Sequence, residues 1–268
     1  MSKKWITLAG LLLIVGGVGI ARGMQKPNVQ APKSVSIIKH KKPIFSAQSF
    51  PNKDNLRDKS IRLTTSQENF VRPVKPESGR YFKMMTLDSL GRARGSRIQL
   101  NKSELPKVKR SPYLTIRPSG WHNYKYKYNG YTGWLFNRGH LVGYQFCGVN
   151  QAPGNMITQT AYVNQGSLTG MDDSNIRGQL YYENRLANWI KMHPNEKLDY
   201  VVMPVYKGSE LVPRQVRFYF VGFKGRRQVR VTGINGLTRY HNKRGEVTLS
   251  NYSPNANINY ATGRAVLK

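Results

Sequence analysis

The hydrophobic pattern divides the chain into three stretches. Trp5 to Ala21 is 17 residues without a charge, preceded by Lys3 and Lys4. From residue 24 to 78 no apolar period lasts, and Pro27, Pro32, Pro43, Pro51 and Pro73 interrupt the run. That stretch reads as a basic linker with room for one short helix within Ser46–Phe70. From residue 79 to 268 short periods return. Asp199–Tyr206 and Gln215–Phe223 predict an antiparallel pair of strands, and Arg227–Ile234 a further strand. Tyr113–Arg117 and Tyr124–Phe136 are also strand-like, the second folding back at Asn129-Gly130. Between these runs, Tyr182, Leu186, Trp189, Ile190 and His193 fall on one face of a helix over Gly178–His193, which Pro194 ends. Strands, a helix and more strands, without regular alternation, predict an α+β fold with antiparallel pairing.

The amino-terminal stretch is a signal peptide or a signal anchor, residues 1–23. Its 17 uncharged residues sit at the lower limit for a spanning helix, which needs about 20. Gly19-Ile20-Ala21 has the small residues of a cleavage site, yet Arg22 follows it, so both readings stand. The lysine pair keeps that end cytoplasmic and sends the remaining chain outside. The expected location is extracellular, either secreted or held at the membrane by this segment.

Composition narrows the partners. The 43 Lys and Arg outnumber the 13 Asp and Glu, giving a net charge of +30. Such a balance implies an anionic partner: nucleic acid, an anionic membrane or an acidic wall polymer. Cys147 is the lone cysteine, which excludes an internal disulfide and a Cys₂His₂ zinc site. It reads as a small buried residue.

The carboxylates are unevenly spread. None of the 67 residues from 105 to 171 is Asp or Glu. A multi-carboxylate metal cage is therefore improbable there, whereas one Mg²⁺ with few protein ligands fits, since that ion keeps waters and uses phosphate oxygens. The same window holds Asn137-Arg138-Gly139-His140 after the apolar Trp134-Leu135-Phe136. An imidazole near neutral pH and a guanidinium together suit attack on a phosphodiester. Alone, the tetrapeptide is equally compatible with a histidine hydrogen-bonded at a strand end. Trp121, Lys125 and Lys127, among Tyr124, Tyr126, Tyr128 and Tyr131, could bind a nucleic acid, although a half-exposed strand gives the same alternation.

Downstream, Asn155, Gln159 and Asn164-Gln165 follow His140 at set spacings. Arg138-Gly139-His140 with this Asn-x₃-Gln-x₄-Asn-Gln pattern resembles the DNA/RNA non-specific endonucleases of the ββα-metal (His-Me finger) fold. Gly120-Trp121-His122 and the closing Asn259-Tyr260-Ala261-Thr262-Gly263 resemble, more narrowly, the streptococcal-type secreted and membrane-bound DNases. The resemblance covers residues 79–268. It implies a central antiparallel sheet with flanking helices. It implies His140 as general base, Arg138 on the phosphate, Asn164 as the direct ligand of Mg²⁺ (Mn²⁺ as a substitute), and Asn137, Asn155 and Gln159 in support. An acidic residue on the next helix should hold the metal's waters. Glu183 is the best match, bordering the apolar stripe with Ala187 and Ile190; a rim glutamate paired with Lys or Arg is the plainer reading. Asp172 and Asp173 are rivals in a loop setting. Products with 5′-phosphate, from DNA and with RNA left open, follow from the same resemblance.

One position departs from the pattern: Asn137 stands where many members carry aspartate. An asparagine still donates and accepts hydrogen bonds, but a relative that only binds DNA stays open. So does a cationic protein that holds DNA or a teichoic-type polymer without chemistry.

Overall fold

A computed structural model of the chain describes Asp58, residues 60–128 and residues 130–268. The proposed signal segment, the linker up to residue 57, His40 and Asn129 lie outside the described residues. All described residues belong to one compact unit, Phe45–Lys268. In chain order they form α1 (Thr65–Val71), β1 (Tyr81–Met84), β2 (Ser96–Leu100), β3 (Lys125–Tyr128), β4 (Tyr131–Trp134) and β5 (Phe136–His140). Then come α2 (Tyr144–Cys147), β6 (Met156–Thr160), α3 (Ala161–Gln165), α4 (Gln179–Met192), β7 (Lys197–Val205), β8 (Gln215–Lys224) and β9 (Arg227–Val229). The chain closes with β10 (Arg239–His241), β11 (Arg244–Ser250), β12 (Ala256–Ile258) and β13 (Ala265–Leu267).

The main sheet is antiparallel, in the order β1-β2-β7-β8-β11-β10, with β9 added to β8. Its central strands read as nearly continuous apolar runs because both faces are covered. Tyr200, Val202, Phe218 and Phe220 face the principal core with Tyr182, Leu186, Trp189 and Ile190 of α4. The alternate positions, Val201, Met203 and Tyr219, meet Val71 of α1 in a second cluster. Ile61 and Val71 are buried, and the Gln67 side chain donates to the carbonyls of Arg94 and Pro204. Composition alone assigns this stretch to the linker; isolated anchors, rather than a repeating apolar face, carry its packing.

The helix over 178–193 forms as its spacing predicts. Gly178 and His193 cap it. His193 stacks on Trp189 at 4.7 Å between ring centroids and its Nδ1 lies 2.8 Å from the Trp189 carbonyl, so it is a cap at the rim of the core. The strands β7 and β8 pair as expected, Val201 opposite Tyr219. The expected strand over 227–234 is shorter, ending at Val229. Tyr124–Phe136 contains the expected hairpin, with Tyr128 opposite Tyr131 and Gly130 at φ +80°.

Tyr113–Arg117 is a correction. It belongs to no strand. The amides of Thr115 and Ile116 donate to the Gln151 side chain rather than to a neighbouring strand. Among the described residues, no helix is long and apolar enough to cross a membrane.

Trp189 joins α4 to the sheet where Gly222 leaves room for the indole; a Cβ there would stand 2.6 Å from Cη2. Trp189→Ala is expected to cost about 3–5 kcal/mol of unfolding free energy, the range for deleting a buried aromatic. Urea denaturation followed by far-UV circular dichroism measures it, and a change under about 1 kcal/mol would contradict this packing.

Candidate active site

Strands β5 and β6 pair antiparallel with His140 opposite Met156 and Asn137 opposite Gln159, and α3 follows β6 directly. Thr160 caps α3 by accepting from the Val163 amide at 3.2 Å, and Gly166, at φ +87°, ends it. Ala161 and Val163 turn into the protein, while Asn164 and Gln165 reach a cavity of about 750 Å³. His140, Arg138, Asn137, Glu183 and Trp121 line that same cavity. Five of the sequence-derived residues thus meet Asn164 in one place.

His140 is 6% exposed, and its Nε2 lies 2.7 Å from the Asn150 carbonyl. A carbonyl only accepts, so Nε2 carries the proton and Nδ1 keeps its lone pair. Burial, and secondly the positive charge of Arg110, hold this imidazole below its ordinary pKa. It is therefore neutral near pH 7, as a general base requires.

Behind the histidine lies a chain of carboxamides. Asn155 is fully buried and clasps Val142, accepting from its amide at 3.0 Å and donating to its carbonyl at 2.9 Å. Gln159, also buried, donates to Gln179 Oε1 at 2.9 Å. Gln179 Nε2 in turn lies 2.9 Å from the carbonyls of His140 and Leu141 and from Glu183 Oε1. Gly139 permits this, since a Cβ there would overlap the Gln159 side chain. Asn155 and Gln159 thus act through others, fixing the turn after β5.

Glu183 receives the Gly143 amide at 3.0 Å and lies 3.4 Å from the Tyr200 hydroxyl. Burial pushes its carboxyl up to about 7, against the hydrogen bonds from Gln179, Gly143 and Tyr200. All of these partners are neutral; among the described residues Glu183 forms no rim ion pair. A cation in the cavity would offset the buried carboxylate. Carboxamide and carboxylate oxygens are hard donors that suit Mg²⁺ or Mn²⁺. Among the described residues no cluster of three or more His, Cys, Asp or Glu could hold a metal, so few protein ligands would share such an ion. Cys147 is buried with its thiol pushed up to about 11.

Arg138 is steered by two contacts: its Nε donates to the Ile116 carbonyl at 2.7 Å and its guanidinium lies 4.6 Å from the Trp121 ring centroid. Asn137 donates to Gln165 Oε1 at 3.0 Å, tying β5 to α3 beside Asn164. Lys125 and Lys127 are exposed on β3 and do not line the cavity, though Lys125 Nζ lies 5.3 Å from the ring of Trp134, which does. Asp172 and Asp173 lie off the cavity wall, and Asp172 closes a turn onto Ser174. His122 meets the Thr262 carbonyl at 3.0 Å, so the two outlying motifs, 120–122 and 259–263, touch each other.

Sequence reasoning missed Gln179, Gly143, Asn150 and Arg110. Gln179 had one available signal, its position four residues before Glu183 on the same helix face. Asn150 acts through a backbone carbonyl, which leaves no mark in the sequence.

A family model described as DNA/RNA non-specific endonuclease matches residues 74–220. No curated protein sequence matches the chain. A solved extracellular nuclease is 35% identical, with a TM-score of 0.56, over 71% of this chain and 94% of its own. An extracellular endonuclease is 32% identical, with a TM-score of 0.58, over 81% and 95% of the two chains. NucA from Streptococcus agalactiae, solved with magnesium bound, is 21% identical with a TM-score of 0.52 over 72% and 80%; at that identity the likeness is one of fold. The β5-β6-α3 unit beside an antiparallel sheet is the ββα-metal arrangement, and the chain belongs to the DNA/RNA non-specific endonuclease family, as a hydrolytic nuclease.

Proposed function

We propose that the protein is an extracellular, Mg²⁺-dependent endonuclease that cleaves DNA, and RNA as well, without regard to sequence, leaving 5′-phosphates. One observation carries the reading: His140 and Asn164, from β5 and α3, line a single cavity, with the histidine's Nε2 committed to Asn150 and Nδ1 left as the acceptor.

His140 Nδ1 takes a proton from water, and the water oxygen forms a bond to phosphorus as the bond to the 3′ oxygen breaks. The 3′ oxygen leaves and is protonated, and the phosphate stays on the 5′ side. Arg138, held by Ile116 and Trp121, binds a non-bridging phosphate oxygen. Asn164 Oδ1 would ligate the metal, and Glu183 would accept hydrogen bonds from its waters. A Mg²⁺ ion held there would neutralise charge developing on the phosphate and on the leaving oxygen. Lys and Arg elsewhere supply sequence-independent affinity for the polyanion. The names of the two more similar nucleases, and the uncharged stretch after Lys3-Lys4, support export; residues 1–23 then act as signal or anchor.

His140→Ala should lower kcat by about 10²–10⁴-fold in a plasmid-cleavage assay, the usual worth of a positioned base; near-normal cleavage would refute the assignment. The base works only when neutral, so kcat/KM should fall as pH drops through its lowered pKa. The acid limb then lies below about 6.5, the ordinary imidazole value. A pH–rate profile with that limb above 7 would contradict it. Chelation by EDTA should abolish cleavage and added Mg²⁺ restore it. Gly143→Ala, whose Cβ would overlap the Glu183 carboxylate, should reduce cleavage about tenfold or more, as disturbed outer-shell partners of a metal do. Its far-UV spectrum should stay unchanged, and cleavage at the wild-type rate would show that Glu183 is not needed where it stands.

A further inference from the structure

The rim of the catalytic cavity carries side chains that a phosphate backbone does not require. Tyr113 is 81% exposed, Met171 77% and Trp134 43%. All three line the cavity, together with Trp121. Each tryptophan also lies beside a cation, Arg138 at 4.6 Å and Lys125 at 5.3 Å from the ring centroids. Exposed aromatics interleaved with positive charge suit a strand whose bases are out of the stack, because every base offers a π-face. A double helix buries those faces and shows only groove edges.

The rim is also in register with the chemistry. Asn150, whose carbonyl holds His140, donates from its side chain to the Tyr113 carbonyl at 3.2 Å. Trp134 ends β4, two residues before β5 begins. Met171 bridges back to Gly166, the residue that ends α3. The cavity volume, about 750 Å³, falls within the range of small-molecule pockets, roughly 300–1,000 Å³.

We propose that Trp134 and Tyr113 stack on unpaired bases flanking the scissile phosphate, so that the preferred substrate is single-stranded nucleic acid. This deepens the proposed function and rests on it. The test uses the full chain in two arms. In EDTA, fluorescence anisotropy compares a labelled thymidine oligonucleotide with an abasic strand of the same length. Wild type should bind the base-bearing strand at least about tenfold more tightly. Trp134→Ala and Tyr113→Ala should each lose about 5- to 150-fold on that strand, the worth of one stacked base, and change little on the abasic one. Trp134→Phe should recover most of the loss. Equal affinity for the two strands, or variants that bind as wild type does, would overturn the proposal.

With Mg²⁺, kcat/KM should favour the single strand over a hairpin duplex of the same sequence; equal or faster duplex cleavage would overturn it. Failure of wild type to cleave any substrate would contradict the reaction itself, and the binding arm would still decide the stacking.

Discussion

The buried carboxamide of Gln179 joins the two halves of this site. Its oxygen accepts a hydrogen bond from the Gln159 side chain on β6, and its nitrogen lies within donating distance of the carbonyls of His140 and Leu141 and the carboxylate of Glu183. Two amide protons are thus shared among three acceptors that are nearly buried at the cavity wall. Unmet polar groups are costly there, and each contact tightens the others. The strand that carries the histidine and the helix that carries the glutamate are consequently held to each other through one side chain. Gly139 and Gly143 keep the space that this arrangement needs.

The electrostatics pull in two directions within one cavity. Burial and Arg110 keep His140 neutral, whereas burial with only neutral partners raises Glu183 to about 7. A chain of net charge +30 has cations to spare, yet among the described residues none forms an ion pair with this carboxylate. That leaves a carboxyl group that a bound cation would hold ionised, beside an imidazole held below its ordinary pKa. Elsewhere the surplus charge suits a polyanionic substrate.

Much of this was legible in the chain, for identifiable reasons. β7, β8 and α4 have periods long enough to read, because each packs against a continuous apolar layer. His140, Asn155, Gln159 and Asn164 lie in one short segment, so their spacing survives as a pattern. Other features depend on contacts distant in sequence. Val71 packs against the sheet and Ile61 is buried, without any repeating face. Tyr113–Arg117 has a strand's residues but gives its amides to Gln151. Gln179 looks like an ordinary polar residue at a helix start, and only the fold brings it under His140. The alternation of Tyr and Lys in β3 records a half-exposed strand, with Tyr126 buried and Lys125 and Lys127 outside.

The proposed reaction needs one ion-binding point, on Asn164 and close to His140. Anomalous diffraction from crystals of the His140→Ala variant soaked in Mn²⁺, used as a stand-in for Mg²⁺, tests it most directly. A single strong peak is expected in the cavity about 2.1 Å from Asn164 Oδ1, a normal distance for such an ion and an oxygen ligand, with Glu183 reached through water. A peak elsewhere on the protein, with the Asn164 carboxamide turned from the cavity, would contradict it.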